Sequence, residues 1–537
     1  MKRIFCLLLI GYSLVSMQGC QKSDINLTSQ SQYSFDNYFN NSTAINQATV
    51  ATYATLLHNG LWAREYYFIF DLLGYEAKKT TNLQGDLGQL ADYNFGTNQP
   101  TLEAFWGSLY RLIFRANVVL NRIAAWNPTD PTDQASVKQN AAEVRFLRAY
   151  AYSLLVFNYG DVPLVTSYDS IIQNNYPART AAATVWGFVE TELIAAVADL
   201  PISYDAGTDL GRATQGAALS LLGRTYLYEK KWADAQSTLL KVVQSGSYSL
   251  DPSYANLFST TNQSSPENIF QIMNAPWTDW GIGNQYYVFG GQETWGGKAT
   301  HSDRAQEYGW ADWNNTYITT TAVNAFHYAN PVDATPYIDP RAKETFYGDA
   351  ASGGDPIYCQ QCTPCPSCTP PVSVNMPFPF QASDAQGDYK WKKYEYYNLV
   401  PLLNGPQSPI NGQVIRYADV LLMLAEAYIQ QGDFGTNPLG LINQVRARAG
   451  AVQYPSLTDA TTAMTILMRE RQLEFTGEQL RYYDLMRWGL SGQVINSERA
   501  VEPGDGTQPF QSKNLLFPIP NTESDYNPNV VVNNGWN

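Results

Sequence analysis

The stretch EVRFLRAYAYSLLVFNYGDVPLV, residues 143–165, decides the fold of this chain. Its apolar side chains are interrupted by charges at fixed offsets, which is typical of a long helix. A second stretch of the same kind, ERQLEFTGEQLRYYDLMRWG, occupies residues 470–489. Neither stretch contains an obvious catalytic constellation. The two together predict a protein built on long helices.

The region after residue 416 continues this helical pattern. One apolar stripe is formed by residues at i, i+3, i+4, i+7, i+10 and i+11, which are Ala418, Leu421, Leu422, Ala425, Tyr428 and Ile429. Gly432 is expected to end this helix, and Pro438 is expected to begin the next one. The other predicted helices cover residues 42–59, 100–125, 134–159, 181–200 and 459–488.

Residues 212–246 predict a pair of packed helices, separated by a short break near Lys230. Three small residues, Ala218, Gly223 and Ala235, would let the two helices approach closely. A pair of about 34 residues with this alternation of small and large side chains is typical of tetratricopeptide (TPR) repeats. The predicted fold is therefore all-α, with TPR-like helix pairs forming a superhelical scaffold that carries long irregular insertions.

Three segments rich in Gly, Asn and Trp separate the helices, at residues 60–99, 274–317 and 330–413. They are too long for plain connections, so we expect them to be ligand-binding insertions. The end of the chain, NLLFPIPNTESDYNPNVVVNNGWN, is punctuated by prolines and predicts a non-helical strap. Because no Pro/Gly/Ser-rich linker divides the chain, we expect residues 36–537 to form a single domain.

The N-terminus has the pattern of a lipoprotein signal peptide over residues 1–19. A positive start precedes a short apolar core, and SMQGC, residues 16–20, looks like a bacterial lipobox. We expect a lipid on the Cys20 thiol and a flexible tether over residues 20–35. The alternative is a plain secretory peptide with a chance cysteine. No later segment reaches the ~18 apolar residues of a transmembrane helix, so we expect membrane contact through the lipid anchor only.

Composition narrows the class of partner. The formal net charge is −14, from 34 basic and 48 acidic residues, and basic clusters are absent. This charge argues against nucleic acid or an anionic lipid surface as a partner. The 37 Tyr and 13 Trp combine an apolar face with a polar edge, which suits sugars or peptides. Large secreted proteins are also often aromatic-rich for packing alone.

The sequence offers little for catalysis. The three histidines are His58, His301 and His327, in unrelated contexts, and no G-x-S-x-G motif occurs. No D-x-[DN]-x-[DN]-G loop indicates calcium. The sequence therefore contains none of these catalytic or calcium motifs, and we expect no cofactor.

Glycoside hydrolysis needs only two carboxylates, and the acids best placed for it are Glu470, Glu474, Glu478 and Asp484. They alternate with arginines along one predicted helix, as in an ion-pair ladder, rather than forming two opposed carboxyls. We expect this ladder to join the helix to Arg145 and Arg148 on the other signature helix.

The remaining cysteines crowd into CQQCTPCPSC, as Cys359, Cys362, Cys365 and Cys368. Three successive C-x-x-C steps could ligate zinc or an iron–sulfur cluster. In an oxidising compartment, two disulfides that staple this proline-rich loop are the favoured alternative. The sequence does not fix their pairing.

The main ligand-binding candidate is the segment 274–317, which has few aliphatic residues to form a core of its own. Its aromatic candidates are Trp277, Trp280, Tyr286, Trp295, Trp310 and Trp313. A ring face that covers a sugar removes ~50–80 Å² from water, worth about 1–2 kcal/mol gross. We expect about half of these rings to be structural. A second cluster has Arg64 and Asp71 as its polar candidates. It has more apolar neighbours than the segment 274–317, so a role in the core is expected more strongly for it.

A set of motifs in a fixed order resembles the SusD/RagB family over nearly the whole mature chain. The motifs are the lipobox Cys20, FWGSLYRLIFRANVVLNRI, EVRFLRAYAYSLLVFNYGDVPLV, Arg179-Thr180, the helix pair at 212–246, RYADVLLMLAEAY, INQVRARAG, ERQLEFTGEQLRYYDLMRWG and the terminal LFPIP…NPN…NNGW. Each motif alone is weak, and the ordered set is specific. The CQQCTPCPSC loop departs from the usual family pattern.

The resemblance implies an all-α, TPR-containing fold without catalysis. It also implies a position on the cell surface, lipid-anchored in the outer membrane, as a lid on a SusC-like, TonB-dependent transporter. The implied function is the capture of oligo- or polysaccharide. Three alternatives stay open, namely peptide capture as in RagB-type relatives, a surface glycoside hydrolase, and a scaffold that only closes the transporter.

Overall fold

The computed structural model is built mainly from α-helices. It describes residues 38–126, 128–169, 174, 176–204, 209–259, 262–274, 304–309, 314–355, 357–358, 377–378, 389–394, 410–502 and 508–536. The predicted signal peptide, tether and cysteine loop lie outside these ranges. Within them, no helix has both the length and the apolar character that are needed to cross a membrane.

Several long helices pack against helices that neighbour them in the sequence. In chain order they are α1 Ser42–Ala54, α2 Glu65–Leu73, α3 Gly85–Ala91, α4 Pro100–Ala125, α5 Pro131–Tyr159, α6 Ala182–Asp199, α7 Gln215–Tyr228, α8 Trp232–Gln244, α9 Arg304–Tyr308, α10 Thr320–Asn324, α11 Ala342–Thr345, α12 Tyr417–Gln430, α13 Thr436–Arg448, α14 Ala460–Phe475, α15 Leu480–Arg487, α16 Ser491–Val501 and α17 Asn521–Tyr526. The predicted helices are found at these positions with boundaries shifted by a few residues, except that the one predicted over 459–488 is divided into α14 and α15.

The strands are short and form two-stranded antiparallel ladders. The pairs are β1 Ala77–Lys79 with β5 Thr316–Ile318, β2 Val162–Pro163 with β3 Arg179–Thr180, β4 Asn268–Ile272 with β12 Gly412–Arg416, β6 His327–Ala329 with β7 Pro336–Ile338, β8 Phe346–Tyr347 with β11 Lys390–Trp391, and β9 Ile357–Tyr358 with β10 Pro377–Phe378. The ladders β1–β5, β4–β12 and β8–β11 join distant parts of the chain, and the other three join neighbouring segments.

The TPR-like pair at residues 212–246 is confirmed as α7 packed on α8. Gly223 shows why small residues are needed there, because a Cβ atom on it would lie 2.4 Å from Leu239 Cδ2. Leu239 is itself completely buried. Helices α12 and α13 form a second pair of the same kind. The predicted all-α, TPR-like fold is therefore confirmed.

The first signature stretch forms the C-terminal part of α5. Asp130 caps this helix, since its Oδ1 accepts hydrogen bonds from the backbone N–H groups of Thr132 and Asp133 at 2.8 and 3.3 Å. Pro131 occupies the first turn, where its missing N–H costs nothing. The helix ends before Gly160, whose φ of 71° lies in the left-handed region.

The second signature stretch was predicted as part of one helix over 459–488, and that prediction is wrong at its centre. Helix α14 ends at Phe475, and α15 begins at Leu480. Between them Gly477 has a φ of 75°, and a Cβ atom on it would lie 2.8 Å from Trp391 Cζ3. We call residues 476–479 the central turn. Gly477 signalled this break in the sequence, but the helical spacing of the residues around it suggested one continuous helix.

Residues 60–99 are more regular than the sequence suggested. They contain α2, β1 and α3, and every side chain of α2 is buried. The run EYYFIFDLL lacks a 3.6-residue period because a helix surrounded by protein needs no polar face. The expectation of an irregular insertion is therefore wrong for this segment.

The C-terminal strap is confirmed, apart from the single turn Ser512–Leu515 and the short helix α17. It is fastened by Asn533, whose Nδ2 donates to the carbonyls of Tyr159 at 3.0 Å and Phe517 at 2.8 Å. Arg179 donates in turn to Asn533 Oδ1 at 2.5 Å. These bonds tie the end of the chain to the end of α5.

Candidate functional site

Most of the predicted ligand-binding and modified residues lie outside the described ranges. These residues are Cys20, Trp277, Trp280, Tyr286, Trp295, Trp310, Trp313, Cys359, Cys362, Cys365 and Cys368. Their roles stay predictions. The structure does describe the residues on either side of 275–303, which is part of the aromatic segment 274–317. It also describes the residues on either side of 395–409.

One pair of flanking residues joins the beginning of the first segment to the end of the second. The backbone N–H of Asn274 donates to Asn411 Oδ1 at 2.8 Å, and Asn274 Nδ2 donates to the carbonyl of Ile410 at 2.7 Å. Both asparagines are buried. Strands β4 and β12 run from this point as an antiparallel pair, with Ile272 opposite Gly412.

A second pair joins the opposite ends of the same segments. The guanidinium carbon of Arg304 lies 4.1 Å from the centroid of the Tyr394 ring, and both residues are buried. This distance is typical of a cation–π contact. We call Asn274, Arg304, Tyr394 and Asn411 the stem cluster. Tyr394 and Ile410 also belong to one buried hydrophobic cluster, which links the two pairs.

Arg304 ties the stem cluster to the helical body. Its Nη2 donates to Asp71 Oδ2 at 2.9 Å and to the carbonyl of Gly477 at 2.5 Å. Gln479 Nε2 donates to the two Asp71 oxygens at 2.9 and 3.0 Å. Burial raises the pKa of Asp71, and the nearby Arg304 opposes that rise. Asp71 therefore anchors Arg304 against the central turn.

Arg64 forms an ion pair with Glu307 of α9, the short helix that begins at Arg304. Its Nε donates to Glu307 Oε1 at 2.5 Å, and its Nη1 donates to Glu65 Oε1 at 3.0 Å. The Arg64 and Asp71 side chains are only 3% and 0% exposed, so a ligand would reach them only if these ion pairs opened. Ligand contact by either residue stays a prediction, and the role that their contacts define is structural.

Glu76 is a buried carboxyl beside the central turn. Its Oε2 accepts a hydrogen bond from the backbone N–H of Gly477 at 2.9 Å. Burial, together with the neighbouring Asp71 carboxylate, raises the pKa of Glu76 to about 8. Glu76 is consequently protonated at neutral pH, which removes one negative charge from the base of the stem cluster.

A buried network of ion pairs includes Glu478 of the central turn. Its members are at most 4% exposed and comprise five acids and five bases, Glu267, Asp339, Glu470, Glu474, Glu478, Arg341, Lys393, Arg416, Arg446 and Arg448. We call this the central ion network. Although burial opposes it, Arg448, Arg416 and Arg341 together lower the pKa of Glu474 to about 2. The formal charges of the network balance.

The predicted ion-pair role of the acids in 470–489 is confirmed, but the predicted partners are wrong. Arg145 and Arg148 pair with Glu192 on α6, at 2.6 Å for Arg145 and 2.9 Å for Arg148 Nε. The acids of α14 and the central turn instead use arginines that come from three other parts of the chain. Helical spacing reveals which face carries charge but not which distant residue meets it.

The cysteine segment is bracketed by a described hairpin. Strands β9 and β10 pair antiparallel, with Tyr358 opposite Pro377, so the backbone on either side of residues 359–376 comes together. Among the described residues, no group of three or more His, Cys, Asp or Glu could hold a metal ion. The two disulfides expected among the four cysteines stay a prediction.

A cleft of about 230 Å³ lies beside the start of the aromatic segment. Its lining is mainly apolar and comes from α1, from Leu56 and Leu57 just after it, from residues 210–212 and from the end of β4, where Met273 precedes Asn274 of the stem cluster. Arg212 at the cleft is committed to Glu143, with its Nη1 3.1 Å from both carboxylate oxygens.

Comparison with known proteins identifies the family. A model described as "SusD family" matches residues 382–536, and one described as "Starch-binding associating with outer membrane" matches residues 21–227. A SusD-like protein of Formosa agariphila is 24% identical over 520 residues, which cover 93% of this chain and 94% of that protein. The chain belongs to the SusD-like family.

Solved structures agree with this at the level of the fold. A SusD superfamily protein from Bacteroides vulgatus is 24% identical, covers 93% of this chain and 100% of its own, and has a TM-score of 0.74. A protein described as a laminarin-binding SusD-like protein is 23% identical, covers 92% of this chain and 100% of its own, and has a TM-score of 0.70.

Proposed function

We propose that this protein captures oligo- or polysaccharide at the cell surface and delivers it to a SusC-like, TonB-dependent transporter of the outer membrane. The observation that carries the proposal is the stem cluster, whose four buried residues flank residues 275–303 and 395–409 in the sequence. The first of these segments contains Trp277, Trp280 and Trp295. Aromatic residues on a firm base are suited to stacking on sugar rings.

Relatives support a glycan rather than another polar ligand. One similar structure is of a protein described as laminarin-binding, and another is of a surface glycan-binding protein A from Bacteroides uniformis. Two or three stacking rings, each worth about 1–2 kcal/mol gross, would give weak affinity. Weak affinity is enough for a tethered protein, because anchoring next to a pore raises the local ligand concentration.

Binding without turnover is part of the proposal. The acids that seemed best placed for hydrolysis, Glu470, Glu474 and Glu478, are each held by arginine or lysine in the central ion network. Carboxylates that are tied up in this way are poor candidates for a general acid or a nucleophile. Hydrolysis of any bound polysaccharide by the pure protein would contradict this part.

The ligand class is tested with the mature chain, residues 21–537, on native gels that contain laminarin, starch, xylan or host glycans. A parallel assay measures binding of a peptide mixture. Retardation by at least one glycan, with no peptide binding, is the expected result. Peptide binding without glycan retardation would contradict the proposal and move the protein to the peptide-capturing type.

Anchoring and delivery are tested in cells that make the full chain. We expect the protein in the outer-membrane fraction and accessible to protease added to intact cells, with Cys20→Ser releasing it from the membrane. Purification in mild detergent should recover a TonB-dependent transporter with it. Recovery of the lipidated protein without any transporter would contradict the delivery role and leave glycan capture standing.

A further inference from the structure

A small cavity lies where the N-terminal helices meet strand β12. Its volume is about 30 Å³, and its lining comes mainly from α2, α5, α7, β12 and α15, with Tyr66, Tyr150, Arg224, Gln413 and Tyr483 among the polar members. A water molecule needs roughly 10–15 Å³ of such space, so the cavity has room for about two. A sugar ring or a peptide is too large for it.

Gln413 is a buried polar side chain in the lining of this cavity. It is 5% exposed, and its Oε1 has no hydrogen-bond partner among the residues that the structure describes. Gln271, directly opposite on β4, is equally buried but is bonded to the protein. Its Nε2 donates to the carbonyl of Gln263 at 2.6 Å, and its Oε1 accepts from Asn268 at 2.8 Å and Asn411 at 3.2 Å. Because an unpaired buried amide costs free energy, Gln413 needs a partner from outside the described chain.

Arg224 also lines the cavity and has further donors. Its side chain is 11% exposed, and its Nη2 donates to Asp419 Oδ2 at 2.6 Å and to the carbonyl of Val414 at 3.1 Å. Its Nε and Nη1 meet no acceptor among the described residues. The Asp419 carboxylate already offsets the charge of Arg224, and Glu478 in the lining would repel an anion. The remaining N–H groups therefore require a neutral acceptor.

We propose that this cavity is an internal water site, in which about two ordered water molecules bond to the Gln413 amide, the Arg224 guanidinium and the tyrosine hydroxyls. Water is small and neutral, and it both donates and accepts, so it can meet an amide oxygen and a guanidinium N–H at the same time. The water molecules join α7 to β12 in addition to the direct bond from Arg224 to Val414. This inference is independent of the proposed function.

Crystals of the mature chain, residues 21–537, test the site directly. At high resolution we expect electron density for about two water molecules in the cavity, within roughly 2.7–3.2 Å of the Gln413 amide and of Arg224 Nε or Nη1. A cavity without such density, or a Gln413 side chain that bonds to protein atoms instead, would overturn the inference.

Gln413→Met tests the site in solution, with Gln271→Met as the matched control on the paired strand. Methionine is similar in size to glutamine and has no amide. If water bonds to the Gln413 amide, the substitution removes those bonds and lowers Tm, as Gln271→Met does by removing its bonds to the protein. If the Gln413 amide is unpaired, its removal relieves an unfavourable burial, so Tm rises in Gln413→Met while it still falls in Gln271→Met.

Oxygen-17 relaxation of the solvent completes the test, because it counts water molecules that stay inside a protein for long times. The count should fall in Gln413→Met and stay at the wild-type value in Gln271→Met. Equal counts in the wild type and Gln413→Met, or a higher Tm in Gln413→Met, would overturn the inference.

Discussion

Both carboxylate oxygens of Glu478 are held by Arg416, with Nε 2.7 Å from Oε2 and Nη2 2.7 Å from Oε1. This bidentate pair joins the end of β12 to the central turn. Lys393, one residue before Tyr394 of the stem cluster, donates to the same carboxylate at 2.8 Å. Glu478 therefore connects the central ion network directly to the stems.

Replacing Glu478 by Gln should destabilise the protein by about 3–5 kcal/mol, because it leaves Arg416 and Lys393 buried with too little negative charge. Urea unfolding of the mature chain measures this. The control is Asp199→Asn, which removes an exposed ion pair whose partner Lys138 is 69% exposed, and should cost less than about 1 kcal/mol. Equal effects of the two variants would contradict the importance of the network.

Glu76 should make stability depend on pH in a specific direction. Its pKa rises from 4.5 to about 8 on folding, so between these values the folded state holds a proton that the unfolded state has lost. The stabilisation is therefore complete below the unfolded pKa and is lost as the pH rises towards the folded pKa. Between these two pKa values the free energy of unfolding falls by about 1.4 kcal/mol for each pH unit.

Glu76→Gln cannot ionise and should remove this dependence. Unfolding free energies at pH 5, 6.5 and 8 should show the variant gaining on the wild type as the pH rises. A constant difference between the two proteins across this range would show that Glu76 is ionised throughout.

Two glycines inside helices should respond to alanine in opposite directions. At Gly223 the new Cβ would lie 2.4 Å from Leu239 Cδ2, so Gly223→Ala should destabilise the α7–α8 pair by about 1–3 kcal/mol. At Gly187 in α6 there is nothing within 4 Å, so Gly187→Ala should stabilise by up to about 1 kcal/mol. Thermal unfolding of the two variants checks the signs. Stabilisation by both alanines would show that α7 and α8 pack less closely.

The four cysteines of CQQCTPCPSC are expected to form two disulfides. Thiol titration of the unreduced, denatured mature chain should then find no free thiol at Cys359, Cys362, Cys365 or Cys368, and elemental measurement should find no zinc or iron. Four free thiols released together with one equivalent of zinc would favour the metal site instead.

The helical body could be predicted because its signals are local. Periodicity placed α5 and α12, and small residues such as Gly223 indicated the close helix pair. The same periodicity was misleading where α14 and α15 meet, since only Gly477 marked the central turn. For α2 it failed because a helix buried on all sides has no polar face to reveal its period.

The stem cluster was beyond sequence reasoning for a different reason. Asn274 meets Asn411, and Arg304 meets Tyr394, across separations that no periodic pattern encodes. The charged residues of 470–489 were correctly seen as an ion-pair system, yet their partners were misassigned to Arg145 and Arg148. Arg304, inside the predicted segment 274–317, could be recognised from the sequence as a polar residue among aromatic ones, but its contact with Tyr394 could not.

The proposed function requires that this chain binds glycan through the aromatic residues of 274–317. The most direct measurement is calorimetric titration of the mature chain with the glycan that retards it on gels, against a variant with Trp280, Trp295 and Trp310 all changed to Ala. Trp232→Ala, in α8, serves as the control. Binding should disappear in the triple variant and persist in the control, with both proteins folded by circular dichroism. Undiminished binding by the folded triple variant would contradict it.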